Sequence, residues 1–476
     1  MTAGSDIEQA QSVTALRDRV VAHVSAGGRL ADLFGTACAD GLLLTAQLAR
    51  PDGIATLDAL LPAGQASYPA LTPLVGSAFW YEREIHDLFG VVPDGHPRLE
   101  PLILAADPGI LPRHTVGPGL FTIPHGPVRS GIVESIEYLV ETPGEDIPHL
   151  NMRLFYKHRG IGARYAGMDP ADGVLLAERS EGIASVAHAI AYCQAVEAVA
   201  GAKVPWRAAL IRTVHAELER LACHLDVIVR LADAAGLGVA TARFGWHKER
   251  VLRLTSRLCG SRFGRGVVVP GGVGATPLLS PAELLAAVGE LDRQVSDDSR
   301  LLMGTASFLD RLRRTGPLPP GRAAEHGALG PVGRASGCTD DARAARSYAA
   351  YTGLGLTVSS RQDGDALARI EVRIDEIAGS WHLLRQAADE LAEAGDGSLR
   401  TDCAPAAGRA VAWAEAPQGE VLYDVRIADG RITRCRGRSA SFHNLVLMHE
   451  VFAGDILTDF PFIEASFGLS VAGAAG

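Results

Sequence analysis

The sequence predicts an α+β protein, with a small α+β N-terminal domain joined to a mainly α-helical domain that carries a small β portion. Three features point there. Gly41-Leu-Leu-Leu-Thr-Ala-Gln-Leu reads as a strand between segments of helical spacing. Beyond residue 205, apolar residues step by three and four over long stretches. Two further strands, Val421–Ile427 and Arg431–Arg436, flank the turn Ala428-Asp-Gly.

In chain order, Thr14–Val24 has helical spacing, and the Gly41 strand follows. Phe79–Phe89 reads as an amphipathic helix closed by Gly90, a residue that suits a C-cap. Pro93-Asp-Gly-His-Pro is a turn, and Ala105–Gly119, with three prolines and three glycines, reads as a linker. The domains are therefore set at 1–112 and 113–476. In Phe121–Val140, the alternation of Ile136, Tyr138 and Val140 predicts hairpin strands. The clearest helix spans Pro205 to about Asp233, with Ile211, Val214, Leu218, Leu221, Leu225 and Ile228 on one stripe and Pro205 in its first turn. Others are expected over Arg243–Cys259, over Ser280–Leu302 and around Trp381–Ala394, the last ended by Gly395.

Composition narrows the function. At 47% apolar, the 476 residues suffice for a sizeable core. A net charge of −10 offers no field to attract phosphate, so nucleic acid is not an expected partner. No apolar run approaches the roughly 20 residues that cross a bilayer, and the polar start MTAGSDIEQAQ is not a secretory signal. A soluble, cytoplasmic chain that meets membrane only through partners is expected. The seven cysteines, at 38, 193, 223, 259, 338, 403 and 435, form no CxxC pair and read as small buried hydrophobes.

Self-contained catalytic motifs are missing. No GxGxxG, HExxH or GxSxG occurs, and the glycine turn Pro270-Gly-Gly-Val-Gly lacks the lysine of a phosphate loop. His215 and Glu219 share a helix face and are read as a solvated or ion-paired couple, not a metal site. The basic stretch Arg243, His247, Lys248, Arg250, Arg253, Arg257, Arg262 and Arg265 is read as a salt-bridged surface, with docking of an acidic partner as the sharper alternative.

Glu82-Arg-Glu-Ile-His-Asp-Leu-Phe-Gly, followed by Gly95-His-Pro-Arg-Leu-Glu-Pro-Leu-Ile-Leu, resembles the C-type subunit of NADH–quinone oxidoreductase. Its charged residues offer an interface edge and its His-Pro turn a docking loop. Most of 120–476 resembles the D-type subunit, a relative of the large subunit of membrane-bound [NiFe] hydrogenases. The matching blocks include Ile123-Pro-His-Gly-Pro, Lys157-His-Arg-Gly, Glu178-Arg, Glu217-Leu-Glu-Arg-Leu, Gly330-Pro-Val-Gly-Arg-Ala-Ser-Gly and Ser441-Phe-His-Asn-Leu. The fused order looks most like the large subunit of formate hydrogenlyase-type complexes.

The resemblance implies two CxxC pairs holding nickel and iron, and this chain departs from it. Glu181 and Ala184 stand at the first pair and Ser470 and Gly473 at the second; a one-residue slip would give Leu469 and Ala472, still without a thiolate. Gln418 replaces the arginine of the same family's EAP block. No directly bound metal or cofactor is expected. The D-type quinone tyrosine falls at Gly182, its histidine at Val133, and its aspartate at Ala234 beside Asp233. Quinone remains a possible substrate, with Glu181, His188 and His224 as substitute proton donors. Glu134, seven residues after Gly126-Pro127, matches a glutamate that moves protons in related enzymes. His158 and Arg159 match the block that faces the nearest cluster of the small subunit, where arginine offsets negative charge.

The resemblance thus implies an oxidoreductase subunit, peripheral on the inner face of the cell membrane. Its partners would be a [4Fe–4S] small subunit and membrane-arm subunits. NAD belongs to the family by name, yet no nucleotide motif is present. The alternatives are a scaffold with a dead cavity and a hydrogenase large subunit.

Overall fold

The computed structural model describes residues 7–9, 12–105, 117–129, 133–404 and 407–476. The expected boundary at 112/113, and most of the expected linker, lie outside the described residues.

Strands β2 (Arg29–Cys38), β3 (Gly41–Arg50) and β4 (Gly53–Pro62) form an antiparallel meander, and β1 (Ile7–Gln9) runs parallel to β4, giving the order β1-β4-β3-β2. The first tight turn needs Gly41, whose φ is 141° and whose added Cβ would lie 2.1 Å from the Leu61 carbonyl oxygen. Helix α1 (Val13–Ser25), capped by the Ser12 side chain, packs on β3 and β4. Helix α2 (Phe79–Phe89) ends at Gly90, whose left-handed φ of 69° confirms the glycine cap.

The charged residues of α2 are not an exposed edge. Glu82 and Arg83 are fully buried. The Glu82 carboxylate accepts the Leu71 and Thr72 N–H groups at 2.8 and 2.9 Å, and Arg83 donates to the carbonyls of Glu100 and Pro101. Glu84 does meet an interface, but an internal one: it takes Arg436 of the C-terminal region at 2.7 and 2.8 Å. His96 stacks on Phe79 and bonds its carbonyl at 3.1 Å, so the His-Pro turn is fastened to its own helix.

The C-terminal region opens with a second meander, β5 (Phe121–His125), β6 (Glu137–Thr142) and β7 (His149–Arg153). A helical body follows: α3 (Ser185–Ala200), α4 (Trp206–Ala234), α5 (Gly238–Cys259), α6 (Pro281–Met303) and α7 (Ala366–Ala394). Pro205 is the N-cap of α4 and stands just outside its first turn. The predicted α4 stripe is core throughout; Ile211, Leu218, Leu221, Leu225 and Ile228 are each at most 1% exposed. Burial of each stabilises the fold by about 1.5–3 kcal/mol. Ser280 and Glu283 form a capping box at the start of α6.

A third meander, β8 (Gly408–Ala416), β9 (Gly419–Ala428) and β10 (Arg431–Arg438), packs against α3. Its Val411 and Leu422 also pack with Ala31, Ala49 and Ile54 of the N-terminal sheet. Three short helices close the chain: α8 (Ala440–Leu445), α9 (Phe460–Phe467) and α10 (Val471–Ala475). One core unites the helical body. A second core joins the N-terminal sheet and the β5–β7 meander with apolar side chains of 442–475.

Buried polar contacts reinforce this union. Glu420 binds Arg29 at 2.9 Å, Asp424 takes Gln47 at 2.9 Å, and Arg409 reaches Asp58 at 2.6 Å. The glycine turn at 270–274 is packed internally. Added Cβ atoms at Gly271 and Gly272 would lie 2.3 and 2.1 Å from the Thr401 and Leu399 carbonyls, and the turn carbonyl of Gly272 accepts from Arg212. It is no phosphate loop. Among the described residues, no helix is long and apolar enough to cross a membrane.

Candidate functional site

The two segments where the thiolate pairs would stand meet each other. The first, 180–184, links the short helix Pro170–Ala177 to α3 and is turned by an Ala184 N–H to Glu181 carbonyl bond of 3.2 Å. The second, Ser470–Gly473, runs into α10. Between them lies the Glu181 carboxylate, 1% exposed. A Cβ added at Gly473 would stand 2.6 Å from Glu181 Cδ and 2.7 Å from Oε2, so the carboxylate already fills the space of a side chain at 473. This contact favours the register that pairs Ser470 with Gly473.

Glu181 is held by a polar chain. Ser441 Oγ donates to Oε1 at 2.6 Å and accepts the Ser470 N–H at 3.1 Å. His188 Nε2 lies 3.1 Å from Oε2, and its Nδ1 lies 3.0 Å from the Tyr423 hydroxyl. A hydrogen on Nε2 bonds the carboxylate and leaves Nδ1 to accept from Tyr423. Burial pushes the Tyr423 phenol above its ordinary range, which keeps it a donor.

Glu134, Arg159 and His158 gather round the same chain end. Glu134, half-buried in coil outside any strand, accepts from Ser470 Oγ at 2.9 Å and from the N–H groups of Val471 and Ala472. Arg159 donates to the carbonyl of Ser180 on one segment and of Arg179 just before it, and to Ala472 on the other, the last at 2.9 Å. Burial lowers its pKa, while Glu134 and Glu181 pull it up. His158 Nδ1 donates to the Ala475 carbonyl at 2.6 Å.

A cavity of 430 Å³ opens beside this cluster. His188, Tyr423, Arg159 and Gly473 line it together with Phe34 and Phe89 of the N-terminal domain. Tyr423, Ser441 and the N-terminal wall were not foreseen. Ser441 stands within the quoted Ser-Phe-His-Asn block, whereas nothing in the sequence pairs Tyr423 with His188.

The other expected residues are placed elsewhere. His224 is fully buried, bonded through Nε2 to Glu376 at 2.9 Å and through Nδ1 to Arg373 at 3.2 Å, and burial pushes its pKa down to about 4. It belongs to an internal charge network with Arg334, Glu415 and Arg220. Asp233 is exposed near the end of α4; its neighbour one turn and more upstream, Asp226, instead lines a 10 Å³ pocket with Cys223, Arg373 and Gln418. Gly182 is exposed, and a side chain there would meet open space. Glu219 does not pair with His215; it caps the start of α3 through the Val186 and Ala187 N–H groups at 2.7 and 3.0 Å.

These residues do not fit a nickel–iron centre. The carboxylate occupies the space between the two segments, and the nearby Cys223 thiol, raised above its ordinary range by burial, donates to the Ile183 carbonyl at 2.8 Å. No group of three or more His, Cys, Asp or Glu able to hold a metal occurs among the described residues.

The helical body and the fused N-terminal sheet are those of a large-subunit-type component of an oxidoreductase complex. Residues 237–403 and 398–474 match the family of the respiratory-chain NADH dehydrogenase 49 kDa subunit, and residues 29–115 match that of the 30 kDa subunit; the chain belongs to the 49 kDa family, fused to a 30 kDa-type domain. It is 28% identical over 435 residues to formate hydrogenlyase subunit 5 of Escherichia coli (strain K12), covering 85% of this chain and 76% of that one. It is 30% identical over 366 residues to the membrane-bound hydrogenase subunit alpha of Pyrococcus furiosus, covering 72% and 84%. A chain of the membrane-bound sulfane sulfur reductase, an archaeal respiratory membrane complex, shares the fold with a TM-score of 0.70 at 23% identity, over 76% of this chain and 100% of that one.

Proposed function

We propose that this chain works without a nickel–iron centre as the large subunit of a membrane-associated oxidoreductase complex, accepting electrons at its contact with an iron–sulfur small subunit. Quinone or another small carrier is the acceptor, bound in the 430 Å³ cavity beside His188 and Tyr423. The [4Fe–4S] clusters belong to the small subunit, and membrane-arm partners hold the assembly on the inner face of the membrane. The observation that carries this reading is the Glu181 carboxylate filling the Gly473 side of the former thiolate site while bonded to His188. It supports loss of the metal together with retention of a hydrogen-bonded path, Glu181–His188–Tyr423, that reaches the cavity wall. A reduced carrier needs protons as well as electrons, and this path can deliver them.

The first experiment is elemental analysis of the complex purified through this chain. Iron without nickel is expected; stoichiometric nickel refutes the proposal. The second is electron transfer through the complex carrying His188→Phe. A fall of at least tenfold, with the complex still assembled, is expected. Unchanged transfer would leave the chain as a scaffold.

A further inference from the structure

Helix α4 carries a histidine with an unused acceptor. His215 is 1% exposed, and its Nδ1 lies 2.9 Å from the Ile211 carbonyl. A carbonyl only accepts, so Nδ1 carries the hydrogen and Nε2 presents a bare lone pair. Burial pushes the ring's pKa down to about 4, which keeps it neutral at ordinary pH. Nε2 has no hydrogen-bond partner. Buried polar atoms are rarely left so.

His215 lines two neighbouring cavities, of 230 and 120 Å³. The larger is walled by Ile211, Val214, Leu258, Leu284 and Leu391, and the loop at its side carries Leu278, 70% exposed. Each cavity also has one arginine on its wall, Arg207 in the larger and Arg265 in the smaller, and in both the Nε–H is buried without an acceptor. An apolar cavity of about 150 Å³ is enough for a benzene ring.

We propose that this pocket binds a neutral hydroxylated ring compound of the phenol class, its O–H donating to His215 Nε2 and its ring and short alkyl tail lying on the leucine wall. The hydroxyl oxygen is left free to accept from a guanidinium. A carboxylate is disfavoured, because the bare imidazole nitrogen would face another lone pair.

The test is calorimetric titration of the full chain, alone or in its purified complex, with 4-propylphenol and with its methyl ether, 4-propylanisole. The two share a body and differ in the donor hydrogen. Wild type is expected to bind the phenol about tenfold more tightly than the ether, the preference a single hydrogen bond confers. His215→Leu is expected to abolish the preference while the ether still binds, and Leu284→Trp to block both by filling the cavity. The wild-type comparison and Leu284→Trp decide the matter even if His215→Leu fails to fold. Equal affinity of wild type for the two compounds, a preference that survives in His215→Leu, or no binding of either at millimolar concentration would overturn the proposal and leave a cavity that holds water.

Discussion

Gly473→Ala reads the occupancy of the site directly. Gly473 lies inside α10, where alanine is intrinsically better than glycine by about 1 kcal/mol. Here the new methyl would sit 2.6 Å from Glu181 Cδ and 2.8 Å from Ser439 Oγ, about 1 Å short of ordinary contact. Relief requires the carboxylate to retreat from Ser441 and His188, now at 2.6 and 3.1 Å. Hydrogen bonds to a charged group contribute about 1.5–3 kcal/mol each, so impairing both outweighs the helical gain by about 2 kcal/mol. For a cooperative unit of several hundred residues this lowers Tm by about 3 °C. In a Glu181→Ala background the clash with the carboxylate is gone and only the 2.8 Å approach to Ser439 Oγ remains, so Gly473→Ala should be about 3 kcal/mol less costly than in wild type. The double-mutant cycle therefore has a coupling of about 3 kcal/mol between positions 181 and 473, measured by thermal or urea unfolding. If Gly473→Ala raises Tm in the wild-type background, or shifts it equally in both, the carboxylate does not occupy that space.

Four further substitutions test the fold. Glu420 sits among Arg29, Arg346 and Arg438, which hold its carboxyl far below the ordinary range; Glu420→Leu strands these buried guanidiniums and should cost about 3–5 kcal/mol in urea unfolding. His215 and His224 are both pushed down by burial to about 4, so the unfolded chain binds more protons than the folded one between that value and 6.5. Their contribution is complete above pH 6.5 and drains as pH falls toward 4, by up to about 3 kcal/mol each. His215→Leu should flatten the loss of stability between pH 7 and 4.5, and an unchanged slope would contradict the buried neutral ring. Gly271→Ala drives a Cβ to 2.3 Å from the Thr401 carbonyl at a φ of 86° and should abolish soluble expression, whereas Gly245→Ala, on α5 with open space around it, should stabilise by about 0.5–1 kcal/mol.

Helices with a strong stripe and a chemical stop were legible. The α4 core face and the Gly90 and Gly395 ends follow from spacing and from glycine's tolerance of positive φ. Elements buried on both faces were harder. Strand β4, helix α3 and the middle of β2 are covered almost throughout, so their apolar residues show no single period. The charged face of α2 misled for a related reason: polarity in a sequence implies water unless a partner is known, and the partners here are the backbone groups of residues 71–72 and 100–104 and the Arg436 side chain. At the site, Glu181 and the 470–473 segment stood out in the sequence only as positions. That Glu181 would point at Gly473, and that Tyr423 would complete the chain through His188, depends on segments more than 200 residues apart and on no local rule.

On the proposed nickel-free reading, loss of four thiolates would remove more than a redox centre. A metal bound by two separate pairs is also a crosslink that fixes the chain end to the segment before α3. In this protein hydrogen bonds tie the same two segments. Arg159 bonds carbonyls on both, Ser441 bridges Glu181 to the Ser470 N–H, Glu134 takes the first N–H groups of α10, and His158 holds the Ala475 carbonyl. Each tie is a hydrogen bond that contributes on its own, so the segment should resist loss of any one but not of Arg159, whose guanidinium bonds three carbonyls across the gap. Arg159→Lys keeps the charge but not the fork, and a lysine cannot reach three carbonyls with the same geometry. Amide exchange in 470–476 should therefore rise at least tenfold in Arg159→Lys while exchange in the α4 core stays fixed. Protection unchanged at the chain end would mean that the other ties suffice and that the arginine serves only the charge of a neighbouring subunit.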